Sequence, residues 1–163
     1  SRQITRELGS DKFCGYVTKF GYGNMDISGD PGRNNGLTNA WLASSLKVSP
    51  DQQVEFVRRL VTGKLPASEK AHALTKAIIP TFESGDGWTV HGKTGAIWLR
   101  AKNGTFDKKR PIGWFVGWAE NGGRQIVFAR LEIGSEETST PKSFLVRNSL
   151  LKDLPDLMKQ AAR

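Results

Sequence analysis

The chain has a single cysteine, Cys14, and only two histidines, His72 and His91. One cysteine excludes an intrachain disulfide, and metal centres need several ligands at fixed spacing, so no metal is expected. No window approaches the roughly eighteen apolar residues of a membrane helix, and no signal peptide opens the chain; no membrane partner is expected. Long basic runs are absent as well. Lys and Arg outnumber Asp and Glu by 24 to 16, a net charge of +8, but they are scattered singly or in short groups such as Arg58-Arg59 and Lys108-Lys109-Arg110. Without a basic platform interleaved with aromatics, nucleic acid is not expected as a partner, whereas small anionic ligands suit the charge. Internal repeats and low-complexity segments are also missing.

What is present suits one domain over residues 1–163, with 37% hydrophobic residues to build a core. The opening SRQITRELG reads like the middle of a helix, without Met or leader, which predicts a piece of a longer protein. Ile4 and Leu8 suggest one buried face, and a second short helix runs from Ser10 to about Lys19, with Cys14 expected to be buried and inert between Phe13 and Val17. Residues 20–39 are rich in Gly and Asn and predict a long irregular loop, the kind that is usually functional.

Ser49, Pro50, Asp51 and Gln52 form the clearest start signal in the chain: an N-cap, a proline at the first helical position, and a capping box. Val54, Val57 and Val61 then repeat at helical spacing until Gly63. Ser68 caps a further helix expected to turn Ala71, Leu74 and Ile78 inward before Pro80 stops it.

Beyond residue 87 the period changes to two. Trp88, Val90 and Gly92 alternate with Thr89, His91 and Lys93, and two more strands meet at Asn121-Gly122-Gly123, predicting an antiparallel meander. A last helix, capped at Thr140-Pro141, is expected to bury Phe144, Leu151, Leu154 and Met158, with Pro155 as a kink or end. Helices, then strands, then a closing helix imply an α+β fold, an antiparallel sheet flanked by helices.

Within the first strand, HGKTGAIW places an ammonium, a hydroxyl and bare backbone around Gly95, where one small anion could meet all three. An edge strand blunted by lysine is the bland alternative. Context extends the motif. K-T-G is a signature of penicillin-recognising serine enzymes, and here it accompanies Tyr22-Gly23-Asn24, RNNGLTNAWLASSLKVSPDQQ at 33–53 and GWFVGW at 113–118. In order and across essentially the whole chain, these resemble the carboxyl-terminal two-thirds of a class D β-lactamase (oxacillinase), most like the subgroup with alanine after K-T-G.

That resemblance implies a β-lactamase/transpeptidase-like fold and a periplasmic enzyme that opens the β-lactam ring of penicillins and cephalosporins through a serine acyl-enzyme, conferring antibiotic resistance, as monomer or homodimer. It implies a serine nucleophile and a lysine carboxylated by carbon dioxide, both in an amino-terminal segment missing here, and no other cofactor. Three S-x-x-K matches, at Ser44, Ser139 and Ser149, all follow Tyr22-Gly23-Asn24 and are rejected as nucleophiles; S-x-V is absent. The chain alone is therefore expected to be inactive.

By the same resemblance, Lys93 supplies positive potential, Thr94 donates to the substrate carboxylate, Gly95 lets the lactam lie against the strand, and the Ala96 N–H is an oxyanion-hole donor. Trp41, with Leu42 beside it, matches the loop tryptophan whose indole holds the carbamate, and Arg147 matches an arginine that grips the substrate carboxylate. Tyr22, Gly23 and Asn24 shape the wall, with Gly23 and Asn24 suited to positive φ. The alternative reading is the β-lactam sensor domain of a transmembrane receptor, acylated without turnover.

Overall fold

A computed structural model describes residues 1–101 and 103–161 of the chain; Lys102, Ala162 and Arg163 lie outside the described residues. Among the described residues six helices accompany one four-stranded antiparallel sheet: α1 (Arg2–Leu8), α2 (Ser10–Phe20), α3 (Gly36–Asn39), α4 (Pro50–Val61), α5 (Glu69–Ile78), β1 (Thr81–Ser84), β2 (Trp88–Arg100), β3 (Phe106–Asn121), β4 (Arg124–Ile133) and α6 (Lys142–Gln160). The strands lie in chain order, β1-β2-β3-β4, so the meander is extended by one strand that the sequence pattern did not single out. With only four residues after Pro80, β1 is too short to display a period; register with β2, Thr81 opposite His91 to Ser84 opposite Trp88, defines it.

The core follows from the alternation. Trp88 and Val90 of β2, Phe115 and Ala119 of β3 and Phe128 of β4 point to one face, where Val146, Leu150 and Leu154 of α6 cover them. α6 is rotated relative to expectation: Ser143, Val146, Leu150 and Leu154 are buried, while Phe144 is 41% exposed. The reason is close approach. A Cβ on Gly113 would lie 2.7 Å from the Lys142 carbonyl carbon, so the helix start rests directly on β3 and the small Ser143 fits beneath it. Leu151 and Met158 pack at the rim of this core as expected.

Pro155 does not end α6, which continues to Gln160. A proline removes the N–H that would have bonded the carbonyl four residues earlier, here Leu151. The hydroxyl of Ser84 donates to that same carbonyl at 2.5 Å, so β1 satisfies the acceptor that Pro155 orphans.

The caps of α4 and α5 are where the sequence placed them, whereas α6 starts at Lys142 with Pro141 as its N-cap and no side-chain cap bond, one residue later than Thr140-Pro141 predicted. The Ser49 hydroxyl accepts from the Gln52 N–H (3.2 Å) while the Gln52 side chain accepts from the Ser49 N–H (2.9 Å), and the Ser68 hydroxyl accepts from the Ala71 N–H. Three faces of the first half differ from expectation. Ile4 is 68% exposed, because α1 is tied down through polar groups: Thr5 donates to the Leu37 carbonyl, and Arg2 to the Thr38 carbonyl and the Asn39 side chain. Leu74 (56%) and Ile78 (77%) of α5 are also exposed. A rotation of one residue buries His72 instead, whose two ring nitrogens meet the carbonyls of Leu60 and Leu65 at 3.0 Å each. Cys14 is exposed on α2, where Val17 is the buried residue. No described helix is long and apolar enough to cross a membrane.

Candidate active site

β2 runs past its neighbour. Pairing with β1 ends at His91, and the Gly92 N–H makes the last bond on that side, to the Pro80 carbonyl at 3.0 Å. In an antiparallel strand alternate residues send their N–H to the same edge, so those of Thr94 and Ala96 also point there, where no strand follows among the described residues. Lys93 to Arg100 remain paired to β3 on the other side, with Thr94 opposite the fully buried Phe115 and Ala96 opposite Gly113. The strand is thus anchored along one edge and open along the other.

Lys93 is exposed, and its ammonium donates to the Thr94 carbonyl at 2.7 Å and reaches the Thr94 hydroxyl at 3.5 Å. Gly95 faces open space: a Cβ there would meet only Trp114 Cβ, at 3.7 Å. Beside this strand lies a cleft of about 940 Å³ whose walls include Gly95 and Ala96 on one side and Trp41 and Leu42 on the other. Trp41 also meets Phe13 edge-on, with ring centroids 5.9 Å apart. Four of the sequence-selected residues therefore share one cleft, with Lys93 and Thr94 just before it on β2.

Arg147 is not brought there. Its guanidinium lies over the rings of Phe82 and Phe144, at 5.0 and 4.9 Å, and donates twice to the Asn148 side chain. The three S-x-x-K matches are held in other bonds: Ser44, which lines this cleft, donates to Asp30 at 2.8 Å, Lys142 pairs with Glu132 at 2.8 Å, and Ser149 donates to Asp153 at 3.3 Å.

Two devices shape the loop that carries Trp41. Asn24 zips its ends together: its N–H donates to the Lys47 carbonyl, its side-chain oxygen accepts from the Lys47 N–H, and its amide donates to the Ser45 carbonyl, each at 2.9 Å. Gly23 has φ 58°, as expected, but the other positive φ falls on Met25 rather than Asn24. The phenol of Tyr22, raised above the usual tyrosine range by burial, accepts from Gln53 at 2.7 Å.

The second device was not legible in the sequence. Asp30 is buried and accepts from Arg100 (2.5 Å), Ser44 (2.8 Å), Asn35 (3.0 Å) and Asn39 (3.1 Å). The Arg100 guanidinium first, then the Asn35, Ser44 and Asn39 donors, hold its carboxyl well below the usual carboxylate range. A carboxylate so placed stays ionised and contributes stability at neutral pH that is lost only as the medium becomes strongly acidic. The Asn-rich composition around Asp30 was the available hint; nothing in spacing couples it to a residue seventy positions away.

The chain is similar to known proteins over nearly its whole length. The family model for the penicillin binding protein transpeptidase domain matches residues 1–155. The chain is 53% identical over 158 residues to β-lactamase OXA-9 of Klebsiella pneumoniae and 36% identical over 147 residues to β-lactamase OXA-1 of Escherichia coli. These alignments take in 97% and 88% of the chain but 58% and 51% of the relatives, so the chain spans little more than half their length. Among solved structures, the class D β-lactamase OXA-427 superposes with a TM-score of 0.87 at 39% identity, covering 98% of this chain and 65% of that one. With the family's model matched over nearly all of its residues, the chain belongs to the penicillin binding protein transpeptidase-domain family, and class D β-lactamases are among the proteins it is similar to by sequence and by fold.

Proposed function

We propose that this chain is the carboxyl-terminal part of a class D serine β-lactamase, exported to the periplasm, that hydrolyses penicillins and cephalosporins. The observation that supports this most directly is the cleft in which the open edge of β2 at Gly95 and Ala96 faces Trp41 and Leu42. The nucleophilic serine and its S-x-x-K lysine come from residues outside this chain. Serine Oγ attacks the lactam carbonyl, the C–N bond opens, and the Oγ proton passes by way of the base to the leaving nitrogen; water then hydrolyses the ester and frees the serine.

Within that reaction the chain's own residues have distinct tasks. The Ala96 N–H, without a partner among the described residues on the β2 edge, donates to the carbonyl oxygen as negative charge builds on it, a contribution of about 3 kcal/mol for such a donor. The Lys93 ammonium favours the anionic substrate and proton transfer beside it, and the Thr94 hydroxyl donates to the substrate carboxylate. Gly95 leaves room for the lactam along the strand, and Leu42 adds apolar contact. A lysine carbamate, when formed, supplies the general base for both half-reactions. Trp41 fits it as a holder, because the residue lines the cleft and its indole N–H has no acceptor among the described residues. Arg147, packed between two rings, is left out of this scheme.

A chromogenic cephalosporin tests the reading. The isolated chain should show no turnover, with or without bicarbonate, whereas the complete protein should hydrolyse it. In the complete protein, Trp41→Ala should accumulate a long-lived acyl-enzyme visible by intact mass. A complete protein that acylates once and never turns over would instead be a sensor, and turnover by the isolated chain would place the nucleophile within these residues.

A further inference from the structure

Asp30 and Arg100 are the most heavily bonded charged pair among the described residues, and neither has a task in the chemistry above. Asp30 is buried, and its carboxylate gathers donors from both sides of Trp41-Leu42: Asn35 and Asn39 before that dipeptide, Ser44 after it. Asn35 also returns a bond, accepting from the Asp30 N–H at 2.8 Å. One carboxylate therefore closes the segment 30–44 into a ring with the tryptophan on its rim.

Arg100 ties this ring to the sheet. It stands on β2 four residues beyond Ala96, donates to Asp30 at 2.5 Å, and comes within 3.5 Å of the Ala43 carbonyl. Ala43 directly follows Trp41-Leu42 and holds φ 50°, a left-handed conformation that costs a non-glycine residue energy unless its surroundings enforce it. Arg100 itself is braced by the Gly104 carbonyl at 3.0 Å and by the Phe106 ring at 5.6 Å. The same cleft is lined by Trp41, Leu42, Ala43 and Ser44 on one wall and by Gly95, Ala96 and Arg100 on the other.

We infer that the Asp30–Arg100 pair is a latch that fixes the separation between the Trp41 wall and the Ala96 edge, making both residues positioning residues for the reaction. This rests on the hydrolase reading above. A donor loop displaced by about 1 Å can cost on the order of 100-fold in rate, and the apolar core between the sheet and α6 contains neither residue, so the latch can be broken without dismantling the fold.

The test uses the complete protein as wild type, Asp30→Asn, Arg100→Met and Arg100→Lys. Hydrogen exchange should accelerate at amides 36–46 in the first two variants while strands β2 to β4 stay protected. With a penicillin, those variants should acylate but release product on the order of 10- to 100-fold more slowly, so that kcat and KM fall together and acyl-enzyme accumulates by intact mass. Added bicarbonate should raise their turnover but not that of wild type, because a displaced Trp41 holds the carbamate less well, and Arg100→Lys should recover part of the loss. Unchanged exchange at 36–46 overturns the latch whatever the kinetics. Accelerated exchange with wild-type deacylation and wild-type bicarbonate response overturns the positioning role. A wild-type protein that neither acylates nor hydrolyses overturns the hydrolase reading, a result separable from the latch because the exchange measurement needs no substrate.

Discussion

The two halves of the molecule are built on different principles. From Trp88 to Met158 a sheet face and a helix bury one another, with Val90, Phe115 and Val146 fully enclosed and aromatic neighbours such as Phe115 and Phe128 packed 5.1 Å apart. Before residue 80 the buried apolar residues are few, namely Val17, Ala40, Val57 and Leu65, and order comes from caps, the Asn24 zip and the Asp30 hub. An apolar core tolerates no missing volume, whereas a polar loop tolerates no missing partner. In this arrangement the first half presents Trp41 and the second presents the K-T-G edge, so the cleft joins a loop set by hydrogen bonds to a strand set by packing.

The largest effect should follow from attacking the packed half. Phe115→Ala removes a fully buried ring that touches Phe82 and Phe128 and lies over Gly92, and should cost about 3–5 kcal/mol in urea unfolding. A loss below about 1 kcal/mol would mean that the sheet and α6 do not share one core. Next comes the junction of β1 with α6. Ser84→Ala leaves the Leu151 carbonyl without its donor and should cost about 1–3 kcal/mol. In a Pro155→Ala background the restored helical N–H supplies that bond, so the double-mutant cycle should show the Ser84 cost largely erased. Equal cost in both backgrounds would sever the link drawn between Ser84 and Pro155.

In the first half a single cap should matter less. Ser49→Ala removes the hydroxyl that accepts from the Gln52 N–H at the start of α4, while the backbone arm of the capping box is retained, and should cost about 1 kcal/mol by the same unfolding measurement.

How much of this was legible from sequence depended on distance along the chain. The Ser49 box, the Ser68 cap, the strand period from Trp88 and the Gly122-Gly123 hairpin are settled by residues within a few positions of each other, and each stands where the pattern put it. The latch joins residues 70 apart and the Ser84 bond residues 67 apart, and no local pattern encodes either. Helix rotation failed for a related reason. On α5, Ala71, Leu74 and Ile78 form an apolar stripe at helical spacing, yet the buried residue is His72, whose ring meets the carbonyls of Leu60 at the end of α4 and of Leu65 just after it. Within the candidate site, K-T-G and the tryptophan were readable as motifs, while the hub that brings their two walls together was not.

The smallest effect provides the sharpest check on that rotation. If α5 lies as described, Leu74→Ser and Ile78→Ser change side chains that are 56% and 77% exposed, and each should shift stability by less than about 0.5 kcal/mol. If the apolar stripe faced the interior, each would remove a buried aliphatic group and cost about 2–5 kcal/mol. His72→Ala is the reciprocal probe: with the described rotation it leaves the Leu60 and Leu65 carbonyls without their partner and should be the more damaging substitution, at about 1–3 kcal/mol. The order of the three, more than the size of any one, decides which side of α5 faces inward.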